Sequence, residues 1–474
     1  MRKPALLALA AAVLLILWQF HEGAKAHVLF GDFRAFYCGA AAVLHGANPY
    51  AASSLHACEG AAMPLGLYRV PPGLTVPAPL PGYVLLALVP FALLPYPAAC
   101  ALWLLVVLAA VAAGVRALAA LLNRPAPAAV WALVPGFAIA VIPFGELAAV
   151  AIAALLHLAL ALRAKAWGIA AIAAAVAMVL PQLGLPAMLA LFAFVPAMRV
   201  RIVAAALALA ALDVGGSSGA AIAYVFTVLP AHARAEIPSS VQYGATWMLH
   251  AAHATDTAAL AVGTASYVLM LALGVAASWA MCARLRDLAC FALVPPAFAV
   301  FGGSFVHYAQ IMAAIPCALL LASRASGYRK RVFDAAVLLL IVPWLWVLSQ
   351  PLLIPAFAGI CAACAIMLLD WEPRHALRAA LAGVVLSGGI VIAGVHFGAG
   401  STTPFAPAHA SGELAQDTWA RYLRAQRAGS GPAWWIAKLP TWMGLLLLPL
   451  GCAAMLSTRT AAPRPPEEAT AAIG

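Results

Sequence analysis

Residues 96 to 121 read YPAACALWLLVVLAAVAAGVRALAAL, an apolar run whose only charged side chain is Arg116. A helix needs about 20 consecutive apolar residues to cross the hydrocarbon core of a bilayer, so this run predicts a membrane-spanning helix. The rest of the chain has the same character, because 66% of its 474 residues are hydrophobic and only 9% are charged. This composition excludes a soluble globular protein and predicts an all-α, polytopic integral membrane protein.

Further apolar runs predict helices along the whole chain. Many are shorter than the roughly 20 residues that a span needs, so some pairs of them are candidates for bent or re-entrant segments. The first run is interpreted as an uncleaved span and not as a signal peptide, because His21, Glu22 and Lys25 follow it in place of a small-residue cleavage site. The runs are 5 to 20, 128 to 143, 145 to 162, 167 to 181, 183 to 198, 200 to 215, 257 to 282, 288 to 303, 307 to 322, 332 to 349, 351 to 369, 378 to 397 and 437 to 456.

One apolar segment, residues 83 to 94 between Pro81 and Pro95, is too short for a regular span. If it crossed the membrane, Arg116 and Arg124 would fall on the outer side and every later cluster of charge would change sides. It is therefore predicted to be a short re-entrant or interfacial helix.

The net charge of +11 does not indicate a nucleic-acid partner, because the charges punctuate the apolar runs. With the N-terminus inside, 18 of the 26 basic residues fall on inner turns, which is the positive-inside asymmetry of membrane proteins. This orientation places three long loops outside, residues 21 to 81, 216 to 256 and 398 to 436, with short helices along the outer surface. Residues 1 to 456 are predicted to form a single transmembrane domain, and residues 457 to 474 a disordered cytoplasmic tail. The inner basic residues are Arg2, Lys3, Arg116, Arg124, Arg163, Lys165, Arg199, Arg201, Arg284, Arg286, Arg324, Arg329, Lys330, Arg331, Arg374, Arg378, Arg459 and Arg464.

Two of the nine cysteines, Cys38 and Cys58, fall in the first long loop. An oxidising periplasm would permit a disulfide between them. The sequence leaves open whether they are bridged.

The 15 acidic residues are few enough to be sorted one by one. Three of them, Asp32, Glu146 and Asp213, lie near the predicted outer boundary of a span, where an ionisable group is costly unless it is paired or faces a wet cavity. These three are candidate functional residues. The inner acids are interpreted as solvated charge balance: Asp287, Asp334, Asp370, Glu372, Glu467 and Glu468. The other loop acids are interpreted as ordinary surface groups: Glu22, Glu59, Glu236, Asp256, Glu413 and Asp417.

Asp32 belongs to the run Gly31-Asp-Phe-Arg-Ala-Phe-Tyr37 in the first long loop. A carboxylate there can take a proton from a substrate, but an aspartate just before an amphipathic run also caps a helix well, and the two roles are compatible. Most histidines also map to the outer side. A polar outer vestibule explains that pattern more simply than a metal site does, so no metal and no cofactor is expected. His307 stands out because it begins a span and could hold a phosphate or a sugar hydroxyl.

Several of these residues occur in motifs that resemble the bacterial glycosyltransferase family 87, which includes polyprenol-phosphate-mannose-dependent mannosyltransferases. The resemblance is carried first by Asp32 with Phe36-Tyr37, then by the runs Gly46-Ala-Asn-Pro-Tyr50, Ala78-Pro-Leu-Pro81 and Leu88-Val-Pro-Phe-Ala-Leu-Leu-Pro95. In outline it continues through Gly145-Glu146, Pro181-Gln182 and Ser304 to Tyr308. Only the motifs of the first loop are specific.

The resemblance implies an inverting, type C hexosyltransferase, a helical bundle in the bacterial inner membrane whose active site faces the periplasm. The donor would be a polyprenyl-phosphate sugar and the acceptor a lipid or a glycan. Asp32 would act as the general base. The residues expected to bind substrate are Tyr37, Tyr68, Arg69, Glu146, Gln182 and His307. Gln182 stands where the family often has a cation, and Glu146 where it often has an amide, so the contacts to the donor are expected to differ.

Two other functions compete with this hypothesis. A transporter or flippase of a lipid-linked glycan would need functional charges near the midplane and repeat-related halves, neither of which is evident in the sequence. In a non-catalytic membrane protein of envelope assembly, Asp32 would only cap a helix.

Overall fold

The computed structural model describes residues 2–25, 29–62, 74–216, 223–351, 353–369, 373–397, 413–426 and 431–457. Across these ranges the protein is helical, and the only strand-like pairing among them is a single antiparallel bridge between Ala51 and Leu414. The all-α prediction is therefore confirmed. Tyr68, Arg69 and the tail from residue 458 onward lie outside the described residues.

The helices follow the apolar runs closely. In the first half they are Arg2–Lys25, Gly31–Leu44, Ala52–Ala61, Gly82–Ala92, Tyr96–Leu122, Ala126–Ala140, Ala148–Arg163, Trp167–Ala177, Pro181–Phe194 and Arg199–Gly216. In the second half they are Leu229–Ala235, Ala245–Ala251, Asp256–Leu285, Cys290–Gly302, Tyr308–Ile311, Ala314–Arg324, Gly327–Ile341, Leu353–Leu369, Pro373–Phe397, Ala415–Gln426 and Pro432–Leu456.

Four of the described helices are long and apolar enough to cross a membrane: Tyr96–Leu122, Asp256–Leu285, Leu377–Phe397 and Pro432–Leu456. Leu377–Phe397 is the apolar part of the helix Pro373–Phe397. A fifth span results if Pro181–Phe194 and Pro196–Gly216, which are bent by 117°, are counted as one broken span. The other apolar helices are shorter, as their sequence runs predict. Together these helices form a polytopic helical membrane protein.

The short apolar segment before Pro95 forms a separate helix, Gly82–Ala92. Its first turn is capped from another part of the chain, because the backbone N–H of Tyr83 donates to Oδ1 of Asp213 at 3.2 Å. The helix that carries Asp213 also approaches it closely: a Cβ added at Gly216 would lie 1.8 Å from the carbonyl oxygen of Gly82. Asp213 thus has a structural role in joining two helices.

The first long loop contains two helices, Gly31–Leu44 and Ala52–Ala61, that are joined twice. A disulfide links Cys38 to Cys58, and Nη2 of Arg34 lies 3.3 Å from Oε2 of Glu59. Both side chains of this ion pair are buried, with exposed fractions of 0% and 2%. The expectation that Glu59 is an ordinary surface group is therefore wrong.

The third long loop contributes the helix Ala415–Gln426, which packs on the first loop. The backbone N–H of Ala415 donates to the carbonyl of Tyr50, and the hydroxyl of Thr418 donates to the carbonyl of Thr75. Segments that are distant in sequence therefore meet at one end of the helical bundle, and a cavity lies between them.

Candidate functional site

A cavity of about 370 Å³ lies where the first helix of the first loop meets the segments around residues 146, 236 and 307. Four of the predicted site residues line it: Asp32, Glu146, Gln182 and His307. Its other polar lining residues include Glu236 and Gln310, and aromatic side chains complete the wall, among them Phe36, Phe144, Tyr224, Trp346 and Trp419. The structure thus brings together residues that are up to 387 positions apart, from Asp32 to Trp419.

Asp32 is placed by the unusual start of its helix. Phe30 has left-handed backbone angles, φ 57° and ψ 28°, and occupies the N-cap position without a side-chain capping bond. Its N–H donates to the carbonyl of Pro143 at 2.7 Å, and the N–H of Phe33 donates to the carbonyl of Phe144 at 3.2 Å. Asp32 is therefore in the first turn of the helix, beside the segment that leads to Glu146, and is not its N-cap residue.

Glu146 lies in the break between the helices Ala126–Ala140 and Ala148–Arg163. Gly145 before it has a left-handed φ of +71°, and its carbonyl accepts a hydrogen bond from Nε1 of Trp103 at 2.8 Å. The carboxyl group of Glu146 accepts a hydrogen bond from Nε2 of Gln310 at 3.0 Å. The break therefore directs a carboxyl group into the cavity.

His307 is paired with Glu236, with 3.4 Å between Nε2 of the imidazole and Oε2 of the carboxylate. Glu236 is 4% exposed and is held by two further donors, Nε1 of Trp419 at 2.6 Å and Nε2 of Gln242 at 3.2 Å. The expectation that Glu236 is an ordinary surface group is wrong, because these donors allow a carboxylate to be buried.

The cavity shifts the pKa of its ionisable groups in different directions. Burial raises the pKa of Asp32 to about 6, with His307 opposing the shift, and burial together with the charge of Asp32 raises the pKa of Glu146 to about 8. Although burial opposes ionisation, hydrogen bonding and charge from His307 hold the pKa of Glu236 well below its usual range. Burial lowers the pKa of His307, but the hydrogen bond and the charge of Glu236 outweigh this effect, and the pKa of His307 is raised. These shifts favour a carboxylate–imidazolium pair between Glu236 and His307, and they separate Asp32, with a pKa of about 6, from Glu146, with a pKa of about 8.

The other predicted site residues are not seen in the cavity wall. The hydroxyl of Tyr37 donates to the carbonyl of Leu94 at 2.9 Å, and Tyr37 is not among the lining residues. Tyr68 and Arg69 lie outside the described residues, so their roles stay predictions. Sequence reasoning missed Glu236, Gln310 and Trp419.

A second, apolar cavity of about 530 Å³ adjoins the first one. Val241 and Trp346 line both cavities. The remaining wall of the second cavity is largely apolar and includes Leu345, Leu348, Val391, Val395 and Trp434. The cavity that contains the ionisable side chains thus borders a larger and more apolar one.

Within the described ranges, no three His, Cys, Asp or Glu side chains are grouped so that they could hold a metal ion. Comparison of the chain with protein-family models, with curated proteins and with solved structures gives no match. The chemistry of the cavity and the motifs of the first loop are therefore the features that indicate a function.

Proposed function

We propose that the protein is an inverting hexosyltransferase of the bacterial inner membrane that works at the periplasmic face. It transfers a sugar from a polyprenyl-phosphate donor to a hydroxyl group of a lipid or glycan acceptor. The acceptor oxygen forms a bond to the anomeric carbon as the bond from that carbon to the phosphate oxygen breaks. The proton of the hydroxyl goes to Asp32, and the polyprenyl phosphate leaves with the bonding electrons.

The observation that carries the proposal is the position of Asp32 in the cavity wall with a pKa of about 6. A general base works best when its pKa is close to the operating pH, so this carboxylate is ionised at neutral pH and still basic enough to take a proton. An inverting transfer needs one base and no covalent carboxylate intermediate. That requirement fits a site where Glu236 is engaged by Trp419 and His307.

Two further features support a lipid-linked phosphate donor. The raised pKa of His307 favours an imidazolium that can donate to the departing phosphate, with the amide of Gln182 in the same wall. The adjoining apolar cavity suits a hydrocarbon chain, because burying apolar surface is favourable at roughly 25 cal/mol per Å². Val241 and Trp346 line both cavities, so the two features are neighbours.

The test is sugar transfer in reconstituted vesicles, with radiolabelled polyprenyl-phosphate mannose and a lipid extract as acceptor. We expect Asp32→Asn to lower the rate by about 10² to 10⁴-fold, because the amide keeps the shape but accepts protons poorly. Asp256→Asn is the control, since Asp256 makes only an exposed ion pair with His250 and does not line the cavity. Undiminished turnover by Asp32→Asn would eliminate the base, and transfer of label across the vesicle membrane without a new product would favour the flippase alternative.

A further inference from the structure

Gln310 determines which oxygen of Glu146 can carry a proton. The backbone N–H of His307 can only donate, so the side-chain atom of Gln310 at 2.7 Å from it must be the amide oxygen. The amide nitrogen of Gln310 then faces Oε1 of Glu146 at 3.0 Å and donates to it. Since Oε1 is an acceptor in this arrangement, a proton on Glu146 belongs on Oε2.

Oε2 of Glu146 is buried and has no hydrogen-bond partner among the residues that the structure describes. Leaving such an atom unpaired costs about 1–3 kcal/mol, and more if it is charged. Because Glu146 lines the cavity, a ligand in the cavity can supply the missing partner. A neutral carboxyl group would donate to that partner.

The groups that face Glu146 come from every side of the cavity. Asp32 belongs to the helix Gly31–Leu44, His307 to the segment before Tyr308–Ile311, and Glu236 to the end of Leu229–Ala235. His232 of the last helix also lines the cavity, and burial lowers its pKa to about 4, so it adds no charge at neutral pH. One imidazolium and two carboxylates give this set a negative balance when Glu146 is neutral, and ionising Glu146 would add to it. An anionic ligand would be repelled by the ionised form of Glu146 and accept a hydrogen bond from the neutral form.

We propose that Glu146 acts as a neutral carboxylic acid whose Oε2–H donates a hydrogen bond to a phosphoryl oxygen of the ligand, so that binding of the anion requires a proton on Glu146. The choice of a phosphate rests on the proposed function. The contacts of Gln310 determine which oxygen of Glu146 would carry the proton, and the burial of Oε2 without a partner among the described residues, beside the carboxylate of Asp32, favours the neutral state. Burial and the charge of Asp32, which raise the pKa of Glu146 to about 8, favour the same state. A bound anion raises this pKa further, and by linkage its own affinity falls as the pH rises above 8.

Glu146→Gln is the informative variant, because it preserves shape and hydrogen-bond geometry. The oxygen of the new amide can accept from Gln310, and its NH₂ group takes the place of Oε2–H as a donor that does not titrate. Glu146→Leu is the matched variant that has no donor at all.

The protonated state is tested by infrared difference spectroscopy of the purified protein between pH 6 and pH 10. We expect a carbonyl stretch of a neutral carboxyl group that disappears near pH 8 in the parent and is absent from Glu146→Gln. In Asp32→Asn the same band should disappear at lower pH, because the carboxylate of Asp32 is one cause of the raised pKa. Burial also raises the pKa of Glu59 to about 7, so the band of Glu146 is measured as the difference between the parent and Glu146→Gln. If the two proteins show no difference in the carboxyl region, the protonated state of Glu146 is refuted.

The phosphate contact is tested by equilibrium binding of short-chain polyprenyl phosphate at pH 7 and pH 9. The affinity of the parent should fall about tenfold more than that of Glu146→Gln, since a proton is required only in the parent. His307 also titrates in both proteins, and the charge of Glu146 is one cause of its raised pKa. The same comparison of the parent with Glu146→Gln is therefore repeated with His307→Gln in both proteins, where no imidazole titrates at this position, and the difference in pH dependence should persist there. Equal pH dependence in the two proteins would overturn the contact. If neither protein binds polyprenyl phosphate, both the phosphate ligand and the proposed sugar donor are refuted. The infrared experiment does not depend on that ligand and still shows whether Glu146 is protonated.

Discussion

The indole N–H of Trp419 donates a hydrogen bond to Oε1 of Glu236 at 2.6 Å, although the two residues are 183 positions apart. Trp419 belongs to the helix Ala415–Gln426 of the third long loop, and Glu236 follows a short helix of the second. The bond therefore holds a buried carboxylate next to His307 and joins two loops around the cavity. A charge in this position depends on its donors, because a buried carboxylate without them would be neutralised.

Replacing Trp419 with phenylalanine removes this donor and keeps an aromatic ring in the cavity wall. We expect a loss of about 1–3 kcal/mol in the free energy of unfolding, because Oε1 of Glu236 is left buried without its donor. Thermal denaturation in detergent measures the loss as a lower midpoint. Trp279→Phe is the control, since Trp279 is 56% exposed and its indole is not tied to a buried carboxylate. Equal shifts in the two variants would show that the hydrogen bond contributes nothing specific.

The Glu236–His307 pair predicts a particular dependence of stability on pH. The pKa of Glu236 lies below its ordinary value of 4.5, so its contribution is present above pH 4.5 and is lost as the pH falls through the lowered pKa. The pKa of His307 lies above its ordinary value of 6.5, so its contribution is present below pH 6.5 and is lost as the pH rises through the raised pKa. The pair therefore stabilises the protein most between pH 4.5 and pH 6.5.

Glu236→Gln should abolish this contribution. We expect the difference in denaturation midpoint between the parent and this variant to be largest near pH 6 and to shrink above the pKa of His307. Asp256→Asn breaks a pair whose carboxylate side chain is 51% exposed, and it should leave the pH dependence as it is. Parallel curves for the parent and Glu236→Gln would mean that the pair is not charged in the folded protein.

The sequence predicted the apolar helices well because each of them is written as a contiguous apolar run. The helix Ala415–Gln426, whose sequence is AQDTWARYLRAQ, has no such run. Asp32 and Glu146 were predicted as site residues because acids are rare in this chain and an acid at a membrane boundary is costly, and both line the cavity. Asp213 satisfied the same rule, yet its carboxylate caps the helix Gly82–Ala92 through the backbone of Tyr83. Composition cannot separate these cases, because a distant backbone N–H and a substrate satisfy a carboxylate equally well.

Glu236 and Trp419 could not be recognised as site residues from the sequence. Their loops are polar enough for a surface position, and only tertiary packing brings the indole to the carboxylate. The same holds for Gln310, whose role depends on the facing atoms of Glu146 and His307. Contacts between loops carry no periodic signal, so local patterns do not predict them.

The buried pair Arg34–Glu59 predicts strong energetic coupling between two helices of the first long loop. Replacing Glu59 with leucine removes the carboxylate that faces a buried guanidinium, so we expect a loss of about 3–5 kcal/mol in the free energy of unfolding. The double variant Arg34→Met/Glu59→Leu should lose less than the sum of the two single variants, because it removes both charges. A double-mutant cycle on the denaturation free energies measures this coupling, and additive losses would contradict it.

Gly145 tests whether the backbone break before Glu146 positions that carboxyl group. Alanine at this position would be strained by the φ of +71°, at a cost of about 1–2 kcal/mol, and its Cβ would also lie 2.7 Å from Cβ of Phe33. The backbone N–H of Phe33 donates to the carbonyl of Phe144, so the backbone of Phe33 cannot move away easily from the new Cβ. We therefore expect the segment at residue 145 to shift instead and to carry Glu146 away from Gln310.

Two other glycines separate the causes of this effect. Gly46 has a φ of +68° and open space around it, so Gly46→Ala adds backbone strain but no steric contact. Gly168→Ala adds neither backbone strain nor a steric contact. We therefore expect the denaturation midpoint to be highest for Gly168→Ala, lower for Gly46→Ala and lowest for Gly145→Ala. Only Gly145→Ala should also shift the pH at which the carboxyl band of Glu146 disappears. If Gly46→Ala and Gly145→Ala lose the same stability and leave that band unchanged, the contact with Phe33 does not position Glu146.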